Sequence, residues 1–337
     1  MDFTLKIYRE LLESLLRQGF LFQTFAGFIK EPGDRVVILR HDVDRRPENA
    51  LVFAEIERDF GIRGTYYFRI VSEAWDEEII RKVYEMGHEV GYHYEDVERA
   101  AKKLKVQGSR FRVQGLRIGS GSEEIERRIA GEAIELFREN LERFRVQGLR
   151  IGSGSEEIER RIAGEAIELF RENLERFRRV VPVKTICAHG SPLSRWDNRI
   201  LWKYYDYKNF GITGEPYFDI DFSWVLYLTD TGRRWDGKEF NIRDKSFYYE
   251  ELKVVENDPI TEQVATRSKH TSTFPKFHST SDIIKNAETG LLPPKIMMTF
   301  HPQRWTDEFI PWTKELVWQN LKNVVKYLIV RHRLNIE

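Results

Sequence analysis

Five residues have the types and positions to do chemistry together: Asp42, Asp44, His93, His189 and His301. Each lies at or just past the end of a short apolar run. Arg35-Val36-Val37-Ile38-Leu39 stops at Arg40-His41-Asp42-Val43-Asp44, Glu89-Val90-Gly91 leads to His93, Val183 to Ala188 runs into His189, and Lys295 to Phe300 runs into His301. Runs of this kind read as buried strands. Two carboxylates and three imidazoles supply hard oxygen and borderline nitrogen donors, a set suited to Zn²⁺ or another divalent ion. The chemistry expected is therefore metal-assisted hydrolysis.

The elements around these residues must bring them together. Leu5, Tyr8, Leu11, Leu12, Leu15 and Leu16 recur at helical spacing and predict an amphipathic helix ending near Gly19. Helices are predicted from about Glu48 to Phe60 and Asp76 to Met86, with a strand at Gly64 to Ile70 between them, and a last helix from Phe309 to Ile329. Strands alternating with helices imply parallel βαβ units. If such strands curl into a barrel, the groups past their carboxyl ends share one mouth. Tyr217 to Tyr249 reads as strands and long loops near that mouth, and about Asn257 to Thr280 as a surface loop.

Residues 112–144 and 145–177 are identical blocks in tandem, and Val106-Gln107-Gly108 echoes their start. Ile158, Ile162, Ala166, Phe170 and Leu174 form an i, i+4 stripe in the second copy, as their counterparts do in the first. Each block thus reads as a Gly/Ser linker and a helix. Two copies are too few for a solenoid. The expectation is one domain over 1–337 with a helical insertion at 106–177, in which the second copy is the native helix.

Composition narrows the function classes. Hydrophobic residues make up 41% of the 337, enough for a substantial core, and 54 basic residues balance 54 acidic ones. Without a basic field, nucleic acid is not an expected partner. Cys187, the single cysteine, cannot form an intrachain disulfide. No segment approaches the ~18 apolar residues of a membrane span, and Met1 to Ile7 lacks the pattern of a secretory signal, so a cytoplasmic location is expected.

Leu39-Arg40-His41-Asp42-Val43-Asp44 resembles the first motif of the polysaccharide deacetylases, a carbohydrate esterase family. Gly87-His88-Glu89-Val90-Gly91-Tyr92-His93 is similar to the second motif and Met298-Thr299-Phe300-His301-Pro302 to the last. The resemblance implies a distorted parallel (β/α) barrel of about seven strands, with Asp42 as base, Asp44 and His93 as metal ligands and His301 as acid. It implies removal of an acetyl or similar acyl group from an N-acylated carbohydrate. Two departures stand out: Val43 separates aspartates that are adjacent in the family, and Val97 occupies the position of the usual further histidine ligand. His189 is the candidate replacement, with Glu95 and Asp96 behind it.

Trp224, Trp235 and Trp305 are candidates to offer apolar faces to a sugar ring, with Asp230 and Arg234 as further substrate contacts. Each residue also has a plainer reading: aspartates cap helices, tryptophans fill cores, and His88 serves to orient its turn. Two other functions stay open, a metal-independent C–N hydrolase acting on a small amide and a catalytically degenerate barrel that binds glycans.

Overall fold

A computed structural model describes residues 1–108, 154–190, 196–235 and 277–334. Within these residues seven strands form one sheet: β1 (Leu21–Gln23), β2 (Val36–Val43), β3 (Thr65–Phe68), β4 (Glu89–Tyr94), β5 (Ile186–Ala188), β6 (Leu226–Thr229) and β7 (Lys295–Phe300). Their order is β5-β4-β3-β2-β7-β6, with β1 beside the first half of β2, and every pairing is parallel. The parallel pairing is what the βαβ pattern predicts; the sheet curls into a half-barrel, and all carboxyl ends lie on one side.

Among the described residues ten α-helices accompany it: α1 (Leu5–Arg17), α2 (Phe25–Lys30), α3 (Pro47–Asp59), α4 (Glu77–Glu85), α5 (Asp96–Gly108), α6 (Gly154–Arg178), α7 (Leu201–Tyr204), α8 (Pro216–Asp219), α9 (Thr280–Glu288) and α10 (Phe309–Leu334). Thr4, Asp76 and Ser279 cap α1, α4 and α9 by accepting backbone N–H groups, and Ser279 with Asp282 completes a capping box. α1 packs on α9, and α5 on α6.

The pleat sorts the strand residues into two cores, because successive side chains point to opposite faces. Val37, Leu39, Val43, Tyr66, Phe68, Tyr92, Tyr94, Met298 and Phe300 face the helices in the larger cluster. Val36, Ile38, Tyr67, Cys187, Val225 and Met297 face the concave interior, joined there by Phe25 and Phe28 of α2. The same parity carries Arg40, Asp42 and Asp44 inward from β2, His93 and Glu95 from β4, His189 from β5 and His301 from β7. Gly91 makes room beneath them, since a Cβ there would collide with the Tyr67 ring.

His41 has the opposite parity and faces the helices. Its Nε2 lies 2.6 Å from the buried Glu57 of α3, whose same oxygen accepts the Tyr8 hydroxyl of α1 at 2.5 Å. This carboxylate ties β2 to two helices. His88 holds its turn as expected: its Nδ1 accepts the Gly64 N–H and its Nε2–H donates to the Ala54 carbonyl.

Two strands extend beyond the sequence expectation. β2 continues through Arg40, His41 and Asp42 to Val43, and β4 continues through His93 to Tyr94. Their charged residues are enclosed by the curled sheet and so do not break the strand. The second repeat copy supplies α6, which with α5 forms the crossover from β4 to β5. Ile162, Ala166, Phe170 and Leu174 of its stripe are buried, whereas Ile158 is exposed. The first copy, and most of the loop expected at 257–280, lie outside the described residues.

Candidate metal centre

Asp44, His93 and His189 converge at the carboxyl ends of β2, β4 and β5. The Oδ1 atom of Asp44 lies 3.6 Å from Nε2 of His93 and 3.5 Å from Nε2 of His189, and the three donor atoms fall within 4.8 Å of one another. Four-coordinate Zn²⁺, with bonds of about 2.0–2.2 Å, holds its donors roughly 3.3–3.6 Å apart. The spacing fits. Asp44 Oδ1 is also buried with no hydrogen-bond partner, which leaves a negative oxygen facing two imidazole nitrogens.

The surroundings hold each donor in a competent state. The Nδ1 of His93 lies 3.0 Å from the Cys187 carbonyl, which can only accept, so the proton sits on Nδ1 and the Nε2 lone pair points at Asp44. Burial lowers the His93 pKa to about 4, despite the opposing pull of Asp42, and the ring is neutral at neutral pH. Burial lowers that of His189 too, against the opposing effect of Asp44. For Asp44 burial acts upward, but His189, His301 and His93 outweigh it and hold the carboxylate well below its usual range. Arg69 donates to the Asp44 carbonyl at 3.2 Å, and Gln303 to its Oδ2 at 3.3 Å.

Asp42 sits beside this set but is otherwise engaged. Arg40, two residues earlier on the same face of β2, donates Nε to Oδ1 at 2.9 Å and Nη2 to Oδ2 at 2.6 Å. Both groups are buried, at 1% and 5% exposure. Burial alone would raise the Asp42 pKa, and Arg40 with His93 brings it below the ordinary value. Its Oδ2 lies 3.8 Å from His93 Nε2. A grouping of Asp42, His93 and Cys187 is also close enough to hold an ion, yet the guanidinium already occupies both Asp42 oxygens, which favours the Asp44 set.

Across the mouth, Nε2 of His301 lies 3.9 Å from Asp44 Oδ2. Behind the ring, the fully buried Asp230 accepts four donors: the His301 N–H at 2.9 Å, His301 Nδ1 at 2.5 Å, Arg304 Nη1 at 2.9 Å and Trp305 Nε1 at 2.7 Å. These contacts turn His301 so that Nε2 faces the centre. Burial raises the Asp230 pKa, but His301 and Arg304 pull it below normal.

The structure brings together Asp42, Asp44, His93, His189 and His301, and it places the expected sugar contacts elsewhere. Trp224 is exposed with Lys295 Nζ 4.2 Å from its ring, and Lys295 begins β7, so this tryptophan lies at the opposite end of the sheet. Trp235 and Trp305 are buried against Phe3 and Phe300, with no face turned to solvent. Asp230 is spent on His301. Arg234 is exposed beyond β6. Val97 lies in the first turn of α5 and is buried in the outer core. That position faces the helices, and His189 reaches Asp44 from the end of β5. Sequence reasoning missed Arg40 and the role of Asp230; the inward parity of Arg40 with Asp42 was the available signal.

Among the described residues, no helix is long and apolar enough to cross a membrane. The chain matches no protein-family description, no curated protein and no solved structure.

Proposed function

We propose that this protein is a metal-dependent hydrolase that removes an acetyl or similar acyl group from the nitrogen of an N-acylated carbohydrate or sugar intermediate. The observation that carries the reading is the buried, unpartnered Asp44 Oδ1 at ligand spacing from two neutral imidazole nitrogens. Asp44, His93 and His189 would hold the ion, and Zn²⁺ suits this mix of one oxygen and two nitrogen donors. When bound, a divalent ion supplies Lewis acidity that polarises an acyl carbonyl and acidifies water.

The chain's own residues supply the proton transfers. Asp42, ionised and aimed by Arg40, takes the proton from the attacking water. His301 stands on the far side of Asp44, with Nε2 directed at the centre and Nδ1 held by Asp230. It delivers a proton to the departing nitrogen, a step worth ~10² to 10⁴-fold because an amine leaves poorly as an anion. The site supports amide hydrolysis; the carbohydrate as substrate rests on the motif resemblance.

Metal analysis of purified protein, paired with release of acetate from N-acetylated sugars, tests the reading. One zinc-group ion per chain, and turnover abolished by a chelator and restored by the ion, is the expected result. Turnover indifferent to chelation would favour a metal-independent C–N hydrolase. A metal-free protein that binds glycans without turnover would favour a degenerate barrel.

A further inference from the structure

His189 is the one ligand candidate that the motif resemblance does not supply, and its orientation has its own support. The residue follows β5, where its N–H donates to the Tyr94 carbonyl at 2.9 Å and its carbonyl accepts from Asn198 at 2.8 Å. Its ring stands edge-on to His93, with centroids 5.2 Å apart and planes at 85°. With Nε2 facing Asp44, the other nitrogen, Nδ1, is buried without a hydrogen-bond partner and lies 3.4 Å from Oε2 of Glu95.

Glu95 follows β4 and is buried at 6% exposure. Its Oε2 accepts Arg69 Nη2 at 2.5 Å, and its Oε1 accepts Arg99 Nε at 3.0 Å. Arg69 also donates to the backbone carbonyl of Asp44 at 3.2 Å, and Arg99 to that of Ile70 at 2.6 Å. One carboxylate thus stands between two of the three ligands, reaching His189 directly and Asp44 through a guanidinium.

We propose that Glu95 is the positioning residue of the metal centre. It takes the Nδ1–H of His189, so that Nε2 keeps its lone pair for the ion, and through Arg69 it fixes the Asp44 backbone. Carboxylates behind ligating imidazoles set tautomer and ring direction in this way. The inference rests on the metal-centre reading above. A competing role, in which Glu95, Glu98 and His189 hold a second cation, is disfavoured because both Glu95 oxygens already accept from guanidinium groups and Glu98 pairs with Lys102 at 2.7 Å.

Cobalt(II) is the probe. The full-length protein, stripped and reloaded with Co²⁺, is compared with Glu95→Gln, His189→Ala and the double variant by chelator competition and visible absorption. Glu95→Gln should weaken Co²⁺ binding by ~10 to 100-fold and alter the ligand-field bands. In the His189→Ala background the same substitution should weaken binding less than it does in the wild type, because only the route through Arg69 to Asp44 remains, a result that a merely structural role would not give. Should Glu95→Gln not fold, Glu95→Asp, with the charge on a shorter arm, carries the same comparison.

Unchanged affinity in the folded variant, or additive losses in the double variant, would overturn the proposal. So would a stoichiometry that falls from two ions to one on substituting Glu95. A wild-type protein that binds no cobalt would overturn the metal-centre reading itself, and the role of Glu95 with it.

Discussion

Substituting Asp42 by Asn should unfold the protein more readily, and the structure says by how much. Arg40 and Asp42 are a buried ion pair with two hydrogen bonds, at 2.9 and 2.6 Å, and Arg40 Nη1 makes no hydrogen bond. The Tyr217 ring lies 5.3 Å from the guanidinium. Removing one member of a buried pair typically costs ~3–5 kcal/mol, because the other charge stays buried. An Asn oxygen still accepts one hydrogen bond, which puts the cost near the lower end. At about 2–4 °C per kcal/mol, the thermal midpoint should fall by on the order of 10 °C.

The double variant Arg40→Met, Asp42→Asn removes the stranded charge and should recover to within roughly 1–2 kcal/mol of wild type, since apolar replacements of buried pairs are often tolerated. Thermal and urea unfolding of the four proteins in the cycle measure this directly. If Asp42→Asn melts with the wild type, or if the double variant is no more stable than Asp42→Asn, the buried pair is not as described. The cycle also separates stability from chemistry. Both Asp42 variants should lack turnover, although only one of them is strongly destabilised.

Acid should weaken the metal-free fold through His93. Its pKa is about 4 in the folded protein against an ordinary 6.5, so the unfolded chain binds the proton first as pH falls. Stability from this group is complete above pH 6.5 and is lost on descending toward pH 4, by about 3 kcal/mol in all. Unfolding midpoints of wild type and His93→Gln across that window should converge as pH falls, and parallel curves would count against it. Val97→His should cost roughly 1–3 kcal/mol by overpacking α5 against the core. It should leave metal affinity unchanged, whereas His189→Ala lowers it; chelator competition distinguishes the two. Asp230→Asn should slow turnover ~10² to 10⁴-fold while metal stoichiometry holds, since it turns His301 and touches no ligand.

Much of this architecture was legible in the sequence because it rests on local alternation. The βαβ pattern exposed the parallel sheet, and the strand-end positions of Asp44, His189 and His301 followed from it. What was not legible depends on burial and long-range pairing. Arg40, His41 and Asp42 look like the polar end of a strand, and only the curled sheet, with Arg40 neutralising Asp42 and Glu57 reaching His41, lets β2 run through them. By spacing along the chain Val97 stands at a motif's ligand position, whereas α5 begins at Asp96 and Val97 is buried in the outer core. Trp235 and Trp305 invited a sugar-binding reading, and aromatic packing with Phe3 and Phe300 keeps both from the surface. β1 has three residues, too short to show an alternation of its own.

The most direct test of the central claim is to locate the ion. Crystals soaked in zinc, with diffraction recorded on both sides of the zinc absorption edge, should show one anomalous peak about 2.0–2.2 Å from Asp44 Oδ1, His93 Nε2 and His189 Nε2. No peak at that point in zinc-soaked crystals, or a peak held by Glu95 and Glu98 with Asp44 left free, would contradict the account.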